Sequence, residues 1–140
     1  MPRSSLIVAV MAAALFLPSA AGAAPEPILA GPWAPGQEGY GHVRPSTIFN
    51  GGDPTGLVKG IEWLTWGGSR AVGVGTAFYV SPNQITAEAR LAAAVVVLFR
   101  LGTCRGRRAY NAAQWYFPEY GGHFDAHERG YKLCTGAEGR

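Results

Sequence analysis

The densest set of chemically useful side chains lies in His123-Phe124-Asp125-Ala126-His127. On an extended strand His123, Asp125 and His127 point to one side, and two imidazoles with a carboxylate can hold zinc. An open fourth position would let the metal activate water, the chemistry of a small metal-dependent hydrolase. Gly121-Gly122 before the segment and Gly130 after it also suit a solvated polar loop. Any further ligand would have to come from a distant group such as His42. The hydrolase is therefore the alternative reading, and the leading one requires neither metal nor cofactor.

Two other groupings could recognise a partner. Arg105, Arg107 and Arg108 cluster beside a turn, where they could form the presented loop of a secreted inhibitor or a solvated rim. Trp33, Trp63, Trp66 and Trp115, with Tyr110, Tyr116 and Tyr120, could build a platform for sugar rings or a protein surface. Trp63 and Trp115 are expected in the core. Trp66, next to a glycine turn, is the candidate exposed aromatic. Ser46, Ser69 and Ser81 lie in no Gly-x-Ser-x-Gly context. There is no Walker loop, and Gly73-x-Gly75 falls inside a strand pattern rather than opening a helix.

The beginning of the chain fixes the expected compartment. Arg3 precedes an apolar run, Leu6 to Leu17, which Pro18 breaks, and Ala21-Gly22-Ala23 supplies small residues for cleavage. That pattern predicts a secretory signal peptide over residues 1–23 and a mature chain starting at Ala24. The run is too short to span a bilayer, which takes about 20 apolar residues. Leu91 to Phe99 is shorter still, so no membrane span is expected after cleavage. In an exported chain the only two cysteines, Cys104 and Cys134, are expected to pair as a disulfide. Without Arg3, eleven Lys and Arg face nine Asp and Glu. A surplus of two charges is not the basic stripe of a nucleic-acid binder.

The elements that must position these groups read as strands. Residues 24–45 are rich in Pro and Gly and form neither helix nor ladder readily, so they read as an extended arm, with Trp33 able to anchor its end. Residues 46–140 read as a single β domain. Leu57 to Trp66 and Ala71 to Val80 flank Gly67-Gly68, the signature of a hairpin. With a two-residue loop, Trp63 faces Val72, Ile61 faces Val74 and Leu57 faces Phe78, which predicts a large apolar face toward the core. The opposite face would pair Glu62 with Gly73, Gly60 with Gly75 and Leu64 with Ala71. Gly73 and Gly75 then call for something bulky above them, with Leu64 and Trp66 on the right side. Thr86 to Ala94 reads as a helical turn or loop, and Val95 to Leu101 as a strand. Ala109 to Phe117 reads as another, with Tyr110, Ala112, Gln114 and Tyr116 sharing one side.

Three pieces of this chain have a familiar look: Phe49-Asn50-Gly51-Gly52 leading to Gly60-Ile61-Glu62-Trp63; Leu101-Gly102-Thr103-Cys104; and Trp115-Tyr116-Phe117-Pro118 followed by Phe124-Asp125 and Cys134-Thr135-Gly136. Together they resemble small exported proteins of high-GC Gram-positive (actinobacterial) bacteria, generally described as of unknown function. The resemblance implies secretion and a Cys104–Cys134 pairing, and implies no activity.

The resulting expectation is an all-β fold, a small antiparallel sandwich or barrel of about five to seven strands with one disulfide. The expected function is non-catalytic: a domain that binds a partner outside the cell or at the envelope.

Overall fold

The computed structural model describes residues 22–128, 131–135, 137 and 138. The expected signal peptide lies outside these residues except for Gly22 and Ala23.

The chain is all-β with one disulfide, a six-stranded sheet curled into a half-barrel. In chain order its strands are β1 (Ile28–Leu29), β2 (Thr47–Phe49), β3 (Leu57–Thr65), β4 (Ala71–Tyr79), β5 (Arg90–Cys104) and β6 (Arg107–Tyr116). They lie side by side as β1-β6-β5-β4-β3-β2, antiparallel except for β1 beside β6. A separate two-stranded ribbon pairs β7 (Tyr131–Lys132) with β8 (Ala137–Glu138). Among the described residues, no helix is long and apolar enough to cross a membrane.

β4 and β5 show why the sheet curls. The concave side of a tight curl leaves little room, so small residues belong inside and large ones outside. β4 turns Ala71, Gly73, Gly75 and Ala77 inward. β5 sets Leu98, Val96, Ala94 and Ala92 opposite them in that order. Residues 90–94 are therefore strand rather than the expected helical turn or loop. Alanine's helix propensity is a weak preference, and the interior needs small side chains opposite Gly75 and Ala77. Only Thr86–Glu88 forms a short 3₁₀ turn.

The expected sorting of the β3–β4 hairpin is overturned. Val58 pairs with Ala77 and Lys59 with Thr76, as expected, but irregularities between Lys59 and Glu62 and between Trp63 and Thr65 shift the register. Trp63 then opposes Gly73, not Val72. Gly60 has a φ of +63° at the first shift, where glycine avoids the Cβ clash of a left-handed backbone. Val72, Val74 and Phe78 fall on the outer face, and Val74 is 40 % exposed. The bulky cover over the glycines is Ile61 and Trp63. A Cβ on Gly73 would lie 2.8 Å from Ile61 Cγ2 and 2.9 Å from Trp63 Cε3. Leu64, expected to help, is 67 % exposed.

β5 and β6 also change faces part-way. Arg100 has a φ of +53°, and opposite it the Asn111 amide reaches the carbonyls of Arg100 and Thr103. Beyond this point Tyr110 and Leu101 join the interior that Ala113 and Trp115 line, while Ala112 stays on the outer face with Val97 and Phe99. Tyr110 and Ala112 thus part company, contrary to the alternation read from sequence.

The Pro/Gly-rich segment is woven into this frame. Ile28, Leu29 and Ala30 are buried. Residues 38–42 run between the two edges of the sheet. Gly41 N–H donates to Leu29 O at 2.6 Å and Leu29 N–H to His42 O at 3.0 Å, while Glu38 and Phe49 exchange both backbone bonds at 3.0 Å. This strap joins β1 to β2 where the curl would otherwise stay open.

Candidate functional site

Two aromatic clusters stand at opposite ends of β4. At the Ala71 end, Trp63, Trp66 and Tyr110 form a ladder of edge-to-face contacts with ring centroids 4.8 and 5.4 Å apart. Each polar atom in it has a partner. Trp63 Nε1 donates to Pro45 O at 2.9 Å and Trp66 Nε1 to Pro27 O at 3.1 Å. The Tyr110 hydroxyl accepts from Gly67 N–H at 2.9 Å and donates to Gly68 O at 2.8 Å. Arg108 Nη2 donates to Gly67 O at 3.0 Å. Burial pushes the Tyr110 phenol up; the Gly67 hydrogen bond and the charges of Arg108 and Arg44 oppose that only in part. Arg44, paired with Glu26 at 2.6 Å, lies over the Trp66 ring, 5.8 Å from its centroid.

Trp66 is therefore not the exposed platform expected of it. A residue beside a turn is exposed only if the turn stays free, and this turn is pinned to β6 by Tyr110 and Arg108.

Two of the three clustered arginines, Arg105 and Arg108, are similarly occupied. Cys104 pairs with Arg107 across Arg105 (φ +50°) and Gly106 (φ +78°). Two successive left-handed residues make a tight type I′ hairpin turn. Arg105 Nη2 reaches Pro32 O at 3.3 Å, and Arg108 is used as above. An inhibitor loop must lie extended in a protease cleft, and this backbone turns back on itself. The Cys104–Cys134 disulfide is formed at the same end, with a Cα–Cα distance of 5.6 Å.

His123, Asp125 and His127 lie on no strand. Asp125 Oδ1 accepts the His127 N–H at 2.8 Å, which makes a local turn, and Gln114 Oε1 accepts Asp125 N–H at 2.9 Å. The one-sided display assumed for zinc requires an extended backbone, which this turn replaces. Among the described residues, no three His, Cys, Asp or Glu side chains gather as a metal-holding group. The segment instead covers part of the sheet's outer face. Phe124 meets Phe99 edge to face at 5.1 Å, with Arg70 4.4 Å above its ring.

The second cluster is at the Tyr79 end. β4 and β6 are both antiparallel to β5, so they run the same way and finish at the same end. Tyr79 closes β4, Trp115 and Tyr116 close β6, and Phe117 follows directly. Pro118–Tyr120 forms a 3₁₀ turn that ends at Gly121 with φ +77°, and this brings Tyr120 back over Tyr79. The two phenol rings stack at 3.8 Å, and Phe117 meets Tyr79 edge to face at 5.2 Å.

Tyr79, Trp115 and Phe117 form a wall between two clefts. One, of about 450 Å³, is completed by Tyr116, Tyr120, Gln114, His123, Asp125 and Glu128. The other, of about 630 Å³, is completed by Thr55, Phe78, Val80, Gln84, Ile85 and Thr86. The first carries two carboxylates and neither Lys nor Arg; the second carries no charged residue. No side-chain hydrogen bond within the described chain restrains Tyr79, Trp115 or Tyr120. Tyr120 is 40 % exposed and Ile85 68 %.

Trp115, expected in the core, backs onto it and also lines both clefts. The cluster had a sequence signal that was not used: aromatics stand immediately before turn signals at the ends of two strands that share a direction.

Compared with models of protein families, with curated proteins and with solved structures, the chain finds no match.

Proposed function

We propose that the protein is an exported, non-catalytic binding domain whose partner-binding face is the paired cleft around Tyr79, Trp115, Phe117 and Tyr120. The observation that carries this reading is the state of those aromatics. The other cluster is locked by internal hydrogen bonds, whereas Tyr79, Trp115 and Tyr120 make no side-chain hydrogen bond among the described residues and line clefts open to solvent. Rigid aromatic side chains give large contact area at low entropic cost, as binding faces require. The expected leader, the disulfide and the resemblance to small exported proteins support placing it outside the cell or at the envelope.

The test compares the wild-type protein with Tyr120→Ala, each immobilised and exposed to culture and envelope fractions of the producing organism. A species retained by the wild-type protein and lost from the variant is the expected outcome. Identical captures by the two proteins refute the assignment of the face.

A further inference from the structure

Two independent features meet at this face. The first is a strand edge that no described strand covers. β1 pairs with β6 only at Ala109 and Tyr110, and Leu133 N–H takes the Asn111 carbonyl at 3.3 Å. From residue 112 to 116, β6 has β5 on one side and, among the described residues, no strand on the other. Ala113 and Trp115 point inward there yet are only partly buried. An unpaired edge presents main-chain donors and acceptors that an extended peptide can use.

The second feature is charge. Five aromatic side chains, the carboxylates of Asp125 and Glu128 and the imidazole of His123 line the smaller cleft, with neither Lys nor Arg among the described lining residues. Elsewhere the chain's own arginines occupy aromatic faces: Arg44 on Trp66, Arg70 on Phe124 and Arg100 on Phe99. Here the aromatic surface and carboxylates are present, and among the described residues no Lys or Arg lies on them. A guanidinium or ammonium is attracted both by a ring face and by a carboxylate. A neutral sugar could stack on the rings and donate hydroxyls to the carboxylates, but it carries no charge to complement them and has no use for a strand edge.

We infer that the partner presents an extended peptide carrying a Lys or Arg, which adds to the free edge of β6 at residues 112–116 and lays the cationic side chain in the cleft beside Asp125 and Glu128. Alternate side chains of a strand point to opposite faces. The residues flanking the cation therefore point away from this cleft, and an apolar side chain further along the peptide can occupy the uncharged neighbour beside Ile85. This inference rests on the binding reading above and names the chemistry of its ligand.

The test uses the chain with its disulfide intact and four acetylated, amidated hexapeptides of alternating Val and X. X is Arg, its neutral isostere citrulline, Glu, or Arg with N-methylated valines. Amide and indole proton–nitrogen spectra report the contact. The Arg peptide is expected to shift the amides of residues 112–116 and the Trp115 indole. It should bind about tenfold more tightly than the citrulline peptide, a preference that salt reduces. Asp125→Asn with Glu128→Gln should erase that preference; asparagine can still accept the His127 N–H, so the turn is kept. N-methylation should abolish the strand-edge shifts.

Equal binding of the Arg and citrulline peptides, or shifts confined to other surfaces, overturns the inference. So does the absence of binding by every peptide. If chitin oligosaccharides shift Trp115 while the Arg peptide does not, the cleft binds sugars and the inference fails, but the binding reading survives. If Tyr120→Ala also leaves capture of native partners unchanged, both fail.

Discussion

Each end of β4 holds three or four large aromatic rings, and the two ends treat them differently. At the Ala71 end both indole N–H groups and the Tyr110 hydroxyl are bonded to backbone, an arginine covers one ring, and the disulfide lies nearby. At the Tyr79 end Trp115 and Phe117 back onto the core, but the rings stack on one another, line the clefts and, among the described residues, Tyr79, Trp115 and Tyr120 make no side-chain hydrogen bond. Aromatic composition alone therefore distinguishes nothing. What separates a structural aromatic from a candidate binding one is whether the molecule itself has used its polar atoms and faces.

The contrast should appear in stability measurements. Trp66→Ala removes the middle of the locked ladder and the bond to Pro27, and should cost about 3 to 5 kcal/mol. An unchanged midpoint in denaturant would break the comparison at its strongest point. Reducing the disulfide, which spans 30 residues, should cost about 3 to 4 kcal/mol by the loop-entropy relation. Unfolding with and without reductant measures it, and no difference would mean the sealed end does not depend on its bridge.

Tyr40 sharpens the picture through pH. It packs against Trp33, donates its hydroxyl proton to Asn50 Oδ1, and burial pushes its pKa up to about 12 from an ordinary value near 10. The unfolded chain loses this proton first, so stability is full below pH 10 and falls as pH rises toward 12. The loss approaches about 2 to 3 kcal/mol. A phenolate absorbance titration paired with unfolding curves should show Tyr40 titrating late, and Tyr40→Phe should remove its part of the late absorbance change together with the stability loss linked to it.

The smallest effect on stability is expected at the open end. Tyr120→Ala should shift stability by about 0.5 kcal/mol or less, as exposed positions usually do, while removing partner capture. A loss comparable to that of Trp66→Ala would show that the rings at both ends are structural.

The strand content, the hairpins and the disulfide were readable because they depend on local pattern. Turn residues, apolar runs and a single pair of cysteines are visible one segment at a time. The face of β4 was not, because two one-residue shifts in β3 re-aim every side chain beyond them. The ordinary assumption that large apolar residues face inward also fails on the concave side of a tight curl. There Gly73 and Gly75 are packing residues rather than weak points. For the same reason Ala92 and Ala94 belong to a strand. The cleft escaped because it combines residues 55, 79, 85, 115 and 125, which meet only once strand direction is known. Trp66 was misjudged because nothing near it in sequence announces Tyr110 or Pro27.

The strap of residues 38–42 has a consequence for how molecules of this protein meet each other. By occupying main-chain groups of both β1 and β2, it denies neighbouring copies the bare strands on which sheets grow from one molecule to the next. Its position depends on Gly39, where any Cβ would collide with the Thr47 carbonyl on a backbone with a φ of +87°. One glycine thus keeps the short β1 and β2 stretches covered, while the edge of β6 beyond Tyr110 stays open among the described residues. A side chain there would push the strap off its place and uncover the main-chain groups of β1 and β2, adding strands on which neighbouring copies could pair, a hazard that grows as the protein accumulates.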